Sequence, residues 1–249
     1  MTTKTVVVGA TGRTGGLVVE VAREDEDYEY VGGVASEGNR DGDDIVGPED
    51  ARALFEGADA VVDFSTPEAT KRAAQLAGET ETALVTGTTA LDEAAENALA
   101  EAARGVAVVR SSNFARGVNV FWKMVESAAE LLPDADFEVT ETHHRGKRDA
   151  PSGTANETVE RIEDAVGKRE RVHGREGESE RGDEIGVHAR RAGDVVGEHE
   201  VLVAEGDESL TIAHRASDRR AFAAGALNAA EWTREADAGE YGMGDVLNL

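Results

Sequence analysis

Apolar positions along the first part of the chain switch repeatedly between strand and helix spacing. Lys4 to Val8 is a β-branched run that predicts a strand. It ends in Gly9-Ala10-Thr11-Gly12-Arg13-Thr14-Gly15, beyond which Leu17, Val18, Val21 and Ala22 recur at helical spacing. Tyr28 to Val34 predicts a second strand, Pro48-Glu49-Asp50 the start of a short helix ending near Gly57, and Asp59 to Phe64 a third strand. Thr66 can cap the next helix, with Pro67 at its first position and Gly78 after its end. The alternation continues through Thr82 to Thr86, Leu91 to Ala103 and Val106 to Val109. Such alternation predicts an α/β fold, a Rossmann-type doubly wound parallel sheet.

The pattern then changes. A helix is expected from about Val118 to Leu132, a strand from Phe137 to Thr142, an irregular basic loop, and a helix from Ser152 to about Ala165. Residues 167–183 are charged, glycine-containing and aperiodic, and predict an exposed loop. Ile185 to Arg190, Val195 to Ala204 and Ser209 to Ala213 resemble strands but lie too close for crossover helices, so their pairing is expected to be partly antiparallel. A second, α+β lobe with a mixed sheet follows. A last helix from about Asp218 to Glu235 precedes an apolar tail, Met243 to Leu249, expected to dock.

Charge narrows the function classes. The 249 residues carry 51 Asp and Glu against 26 Lys and Arg, a net charge of -25, which opposes general attraction to nucleic acid or anionic membranes. The longest apolar runs are strand-sized, below the roughly 18 to 20 residues of a membrane helix, and the N-terminus has no signal-like core, so a cytoplasmic protein is expected. Without Cys there is no disulfide, thiol catalysis or thiolate metal site. Lys occurs at only five positions while acidic residues fill every helical stretch, a composition that points to high salt. Molar salt shortens the Debye length to about 3 Å and screens the self-repulsion.

Three features carry candidate chemistry. The turn at Gly9, Gly12 and Gly15 gives room for a pyrophosphate at a helix N-terminus, with Arg13 placed either to meet a phosphate or to be solvated. His143-His144-Arg145-Gly146-Lys147-Arg148 reverses the sign of an acidic chain locally and points to an anion site. Pro151-Ser152-Gly153-Thr154-Ala155 offers an N-cap followed by unpaired amides that suit a carboxylate, although plain capping would look the same in isolation. Together the last two describe a carboxylate clamp with a proton donor beside it. Successive strand residues face opposite sides, so only one of His143 and His144 is expected to act as the primary acid. The same geometry makes the adjacent pair a poor metal site, and no metal is expected.

Glu141 to Ala155 resembles E-x-H-H-x-x-K-x-D-A-P-S-G-T-A, the long motif of the 4-hydroxy-tetrahydrodipicolinate reductase family, formerly the dihydrodipicolinate reductases. Gly87-Thr88-Thr89, Ser112-Asn113-Phe114, Gly117-Val118-Asn119, Arg191 to His199 and Tyr241 to Leu249 are similar as well. The resemblance implies NADPH- or NADH-dependent reduction of 4-hydroxy-tetrahydrodipicolinate to tetrahydrodipicolinate with loss of water, on the diaminopimelate route to lysine. It implies that His143 and Lys147 handle the proton, that His144, Gly153 and Thr154 bind the dicarboxylate, and that Gly9, Ala10, Thr11, Gly12, Arg13, Thr14, Gly87, Thr88, Thr89, Ser111, Ser112, Asn113 and Phe114 line the cofactor site. It also implies a dinucleotide-binding domain of residues 1–114 plus 217–249, a substrate-binding and oligomerisation domain of residues 115–216, and a homotetramer.

The chain departs from the family after the second strand. Ala35 and Ser36 in Val34-Ala35-Ser36-Glu37-Gly38 replace the acid that would accept a ribose hydroxyl and the basic residue that often follows it. Small neutral residues there, with Arg40 nearby, lean toward NADPH, because an acid would repel a 2′-phosphate. The competing functions are another dicarboxylate imine reductase such as an aspartate dehydrogenase, and a module that senses NAD(P)H without turning it over.

Overall fold

The computed structural model describes residues 2–36, 38, 42, 44–178 and 180–249. It divides into two compact units, Met1–Arg116 with Arg220–Leu249, and Gly117–Arg219.

The first unit is a doubly wound sheet. Its elements run β1 (Thr3–Val8), α1 (Arg13–Glu24), β2 (Tyr28–Val34), β3 (Ile45–Val46), α2 (Arg52–Glu56), β4 (Ala60–Asp63), α3 (Pro67–Thr80), β5 (Ala83–Thr86), α4 (Glu93–Ala102) and β6 (Ala107–Arg110). The strand order is β12-β6-β5-β4-β1-β2-β3, and every pairing is parallel. The chain winds outward from β1 in one direction through β2 and β3, then returns to β4 and winds the other way. The switch point therefore lies at the ends of β1 and β4, where such sheets bind ligands.

Both sheet faces are covered, as the unbroken apolar strands require. Alternation sends Val7, Val62, Val85 and Val109 to one face, against Val18 and Val21 of α1. Val6, Val8, Val61, Leu84 and Val108 go to the other, against Ala74 and Ala77 of α3 and Leu99 of α4. The chain returns to this unit as α7 (Arg220–Trp232), β12 (Gly239–Tyr241) and α8 (Met243–Leu247). Ala226, Leu227 and Ala230 of α7 pack into the first face, and the apolar tail docks there through Met243 and Val246.

The second unit begins with α5 (Arg116–Leu131), whose first residue is the last of the preceding segment, and continues as β7 (Asp136–His143), α6 (Gly153–Val166), β8 (Glu170–Val172), β9 (Glu184–Arg191), β10 (Gly197–Glu205) and β11 (Glu208–Ala216). The sheet order is β11-β10-β7-β9-β8. β10 runs antiparallel to β11 and β7, whereas β9 is parallel to β7 and β8, so the sheet is mixed as expected. Phe137 and Val139 of β7, Val201 and Val203 of β10, and Val159 and Ile162 of α6 are buried. Trp122 of α5 is buried too and donates its indole N–H to Thr158 of α6 at 3.0 Å.

Four local expectations need correction. Pro48 to Asp50 form a turn, and the helix starts only at Arg52. Gly78 lies inside α3, which ends instead at Glu81 in the left-handed conformation with φ 54°. The stretch 167–183 is not all loop, since Glu170–Val172 pairs with β9. Between α7 and the tail the chain adds a strand, β12, to the sheet edge beside β6. These strands have three residues each, and β3, also unforeseen, has two, too few for periodicity to register. Among the described residues no helix is long and apolar enough to cross a membrane.

Candidate functional site

In the first unit the turn after β1 is shaped by contacts that exclude side chains. Gly9 has φ +80°, and a Cβ there would stand 2.4 Å from the Phe64 carbonyl oxygen. A Cβ on Gly15 would stand 2.1 Å from the Gly9 carbonyl oxygen, so the helix can approach the turn only with glycine at that position. Gly12 caps α1 without a side-chain hydrogen bond, which leaves the first-turn amides, Arg13 and Thr14 among them, untaken by a cap. Thr11, Gly12 and Arg13 are exposed, and Ala10 is buried. An exposed, uncapped helix start at the switch point fits the pyrophosphate of a dinucleotide.

Two further segments border the same ends of the strands. Gly87, Thr88 and the exposed Thr89 follow β5. Ser111 follows β6 and folds the chain onto itself, its hydroxyl accepting from the Asn113 amide at 3.2 Å and donating to the Asn113 carbonyl at 2.8 Å. Ser112 is exposed, Asn113 is buried, and its side-chain oxygen accepts from the Ala115 amide at 2.9 Å. Phe114 is 1% exposed and meets Phe64 edge to face with centroids 5.7 Å apart, so it packs the core beneath these loops.

Beneath them also lies Asp63, at the end of β4 and fully buried. Its carboxylate accepts from the hydroxyls of Thr70 at 2.6 Å, Thr86 at 2.8 Å and Thr88 at 3.1 Å, and from Ser65 through a short contact. Thr88 also accepts from the Ser65 amide at 3.1 Å, which ties the loop after β4 to the loop after β5. Burial pushes the Asp63 carboxyl up, and four hydroxyl donors with no cation do not reverse it.

In the second unit β7 ends at His143, and the basic loop follows. His143 Nδ1 lies 2.6 Å from Glu141 Oε2. Glu141 and His143 are two apart on a strand and so share a face. The other Glu141 oxygen accepts from the Ser152 amide at 3.0 Å, and Arg191 of β9 grips both oxygens at 2.8 Å. Behind the imidazole a Cβ on Gly197 would approach Nε2 to 3.1 Å, so the ring lies close against the β10 backbone. His199 of β10 meets the same ring edge to face at 5.2 Å.

Ser152 caps α6, its hydroxyl accepting from Ala155 at 3.2 Å and lying 3.3 Å from His199 Nε2. Gly153 is exposed, and nothing stands within 4 Å of where its Cβ would be. Thr154 follows in the first turn. The loop brings Lys147 to Asp149, with Nζ to Oδ2 at 2.8 Å, and the Lys147 amide closes a turn on the His144 carbonyl at 3.1 Å. His144 takes a separate direction, its Nε2 being 3.1 Å from Arg219. His143 and the start of α6 are thus drawn together through Glu141, while His144 is not part of that cluster.

Protonation follows from these contacts. Burial lowers His143 and outweighs the opposing pull of Glu141. For Glu141 burial pushes up, but the Arg191 and His143 hydrogen bonds and charges outweigh it and hold the carboxyl below its ordinary value. Burial, with the charge of His143 next, takes His199 down to about 3, so it is neutral at any working pH. The buried His199 Nδ1 has no hydrogen-bond partner among the described residues.

Glu141, Arg191, His199 and Asp63 were not singled out as site residues from sequence. Glu141 had an available signal in its spacing to His143. Asp63 had one too, as a lone acid ending the apolar run Ala60-Val61-Val62 with hydroxyl residues close behind.

The family model of the dihydrodipicolinate reductase N-terminus matches residues 3–114, and that of the C-terminus residues 117–247. A 4-hydroxy-tetrahydrodipicolinate reductase of Natronomonas pharaonis is 49% identical over 245 residues, covering 97% of this chain and 99% of the relative. One from Haloarcula marismortui is 42% identical over 251 residues, covering 99% of each. Among solved structures, a dipicolinate-bound dihydrodipicolinate reductase from Paenisporosarcina sp. TG-14 superimposes with a TM-score of 0.83 at 22% identity, covering 98% of this chain and 99% of the other. With both halves matched and relatives this similar along their full length, the chain belongs to the dihydrodipicolinate reductase family.

Proposed function

We propose that this oxidoreductase reduces 4-hydroxy-tetrahydrodipicolinate to tetrahydrodipicolinate with loss of water, using NADPH or NADH, on the diaminopimelate route to lysine. The observation that carries the reading is the cluster of His143, Glu141 and the α6 N-terminus, a proton-handling group tied to an anion-binding helix start. The nicotinamide, when bound, supplies a hydride. The substrate first loses its hydroxyl as water, and the resulting conjugated imine takes one hydride and one proton.

The residues of the chain supply the remainder. The amides of Gly153 and Thr154 bind a carboxylate at the positive end of α6. Lys147, paired with an exposed Asp149, adds positive charge and a transferable proton. His143 holds or releases a proton at Nε2, and His144 contacts the dicarboxylate. The uncapped start of α1, with Gly9 to Thr14, Gly87 to Thr89 and Ser111 to Asn113, holds the dinucleotide, and Phe114 supports those loops from below.

Preference for NADPH is supported by Ala35 and Ser36, small neutral residues in place of the acid that would repel a 2′-phosphate. Arg40 and Glu37 lie outside the described residues. Homotetramer assembly through the second unit comes from the family resemblance, and sedimentation of the purified protein tests it. A requirement for molar salt is supported by the net charge of -25, which would repel anionic substrate and cofactor in dilute buffer.

The test is NADPH oxidation in molar KCl with substrate generated by a coupled synthase. Substrate-dependent oxidation, faster with NADPH than NADH and slowed in dilute buffer, is the expected result. Oxidation driven by oxaloacetate with ammonia instead would move the reading to an aspartate dehydrogenase. Cofactor binding with no turnover would move it to a sensing module.

A further inference from the structure

Glu141 is 0% exposed, yet its two oxygens meet four donors from three segments. Oε2 meets His143 Nδ1 at 2.6 Å and Arg191 Nη1 at 2.8 Å, while Oε1 meets Arg191 Nη2 at 2.8 Å and the Ser152 amide at 3.0 Å. A carboxylate offers about four lone-pair sites, so none is left for substrate. We propose that Glu141, clamped by Arg191, is a positioning residue that fixes His143 as its Nδ1–H tautomer and locks the imidazole in register with the carboxylate-binding start of α6. The inference deepens the proposed function and rests on His143 acting on the proton of that reaction.

The tautomer follows from charge. With Arg191 and His143 against it, Glu141 stays ionised and can only accept, so Nδ1 must carry the proton. Nε2 is then the nitrogen that gains or loses a proton in turnover. The same carboxylate receives the amide of Ser152, the cap of α6, so displacing Glu141 would move acid and anion site together. Arg191 extends the lock by donating to the Asp149 carbonyl in the loop that carries Lys147.

The groups around His143 divide by sign. Glu141, on its own strand, favours the imidazolium, whereas Lys147 from the loop and Arg191 from β9 oppose it. His199 from β10 is neutral and contributes only its edge. Removing the one anion of this set should therefore weaken His143 as an acid as well as misplace it. A glutamine has one acceptor oxygen, which Arg191 would take, turning the amide N–H toward His143 and favouring the other tautomer.

The test reads the ring nitrogens of the six histidines by 15N NMR on the full chain in molar KCl, with His143 assigned through His143→Gln. In the wild type, neutral His143 is expected with its proton on Nδ1. In Glu141→Gln its proton should move toward Nε2 and its titration midpoint should fall. Turnover should drop by about 10²-fold, with the limb of the pH profile that follows His143 shifted to lower pH and the KM for the dicarboxylate changed much less. A wild-type His143 protonated at Nε2 would overturn the proposal, and that measurement stands even if Glu141→Gln does not fold. A folded Glu141→Gln with wild-type ring signals and pH profile would overturn it equally. Wild-type protein that turns over no dicarboxylate would remove the proposed function instead, with the ring signals still judging the tautomer.

Discussion

Asp63 in the first unit and Glu141 in the second are both 0% exposed, and the two carboxylates are treated in opposite ways. Asp63 in the first is held by four hydroxyls and no cation, so burial wins and its carboxyl is pushed up. Glu141 in the second faces an arginine fork, a histidine and an amide, so charge wins and its carboxyl is held down. Hydroxyls can be satisfied by a neutral acid or a neutral amide; a guanidinium cannot. Asp63 therefore knits loops beneath the proposed dinucleotide site, where a fixed scaffold is wanted. Glu141 holds a lasting charge behind His143, the group proposed to change its own.

The largest separation between them should come from isosteric neutralisation. Glu141→Gln leaves Arg191 facing half an acceptor set at a carboxylate that is 0% exposed, and with Arg191 itself part-exposed the cost should be about 2–3 kcal/mol, below the roughly 3–5 kcal/mol of a fully buried pair. Chemical denaturation in molar KCl, monitored by circular dichroism, is the measurement. Loss of less than 1 kcal/mol would mean that Arg191 finds other partners and that the contrast with Asp63 is only geometric.

Next in size is Lys147→Ala, which separates the units by function. Turnover should fall by about 10²-fold while the Kd for NADPH, measured by fluorescence titration, stays within about twofold, because the proposed dinucleotide site lies in the first unit. Near-normal turnover would remove Lys147 from the proton path. Asp63→Asn should give the reverse pattern with a smaller effect, since an amide can accept from some of the hydroxyls and donate to the rest. A stability change of about 1–2 kcal/mol is expected, with weaker NADPH binding as Thr88 loses its anchor and kcat little altered.

The contrast also explains what the sequence could disclose. The doubly wound sheet was legible because each buried strand is a short apolar run punctuated by Gly9, Pro67 or a hydroxyl cap, and local rules decide such runs. The start of α6 was legible for the same reason, with Ser152 as a natural N-cap. β8 and β12 were not, because three residues fix no period, and the partner of β12, β6, is distant in sequence as well. The partnership of Glu141 with Arg191 spans fifty positions and depends on β7 lying parallel to β9 in the register that places His143 opposite Arg191. No local pattern encodes that register. The basic loop pointed to the proposed anion site, and its buried counter-charge came to light only with the sheet.

The smallest predicted effect tests the comparison most directly, through the pH dependence of stability. Asp63 has a folded pKa above its unfolded value, so its contribution is fully present below the ordinary Asp range near 3.8 and is lost as pH rises through the folded value. Glu141 has a folded pKa below its unfolded value, so its contribution is present above the ordinary Glu range near 4.5 and is lost as pH falls through the folded value. The many surface carboxylates shape the overall curve, but they cancel when each variant is subtracted from the wild type at the same pH. The deficit of Glu141→Gln should therefore hold steady down to about pH 4.5 and shrink only below it, whereas Asp63→Asn should lose ground to the wild type as the pH is lowered through the folded Asp63 value toward 3.8. Because the two residues sit in different units and share no partner, the double variant should show the sum of the two slopes within about 0.5 kcal/mol. Slopes of the same sign would mean that one of the two carboxyls is in the other's state, and the division between a hydroxyl-held scaffold and a charge-held acid would fail at that residue.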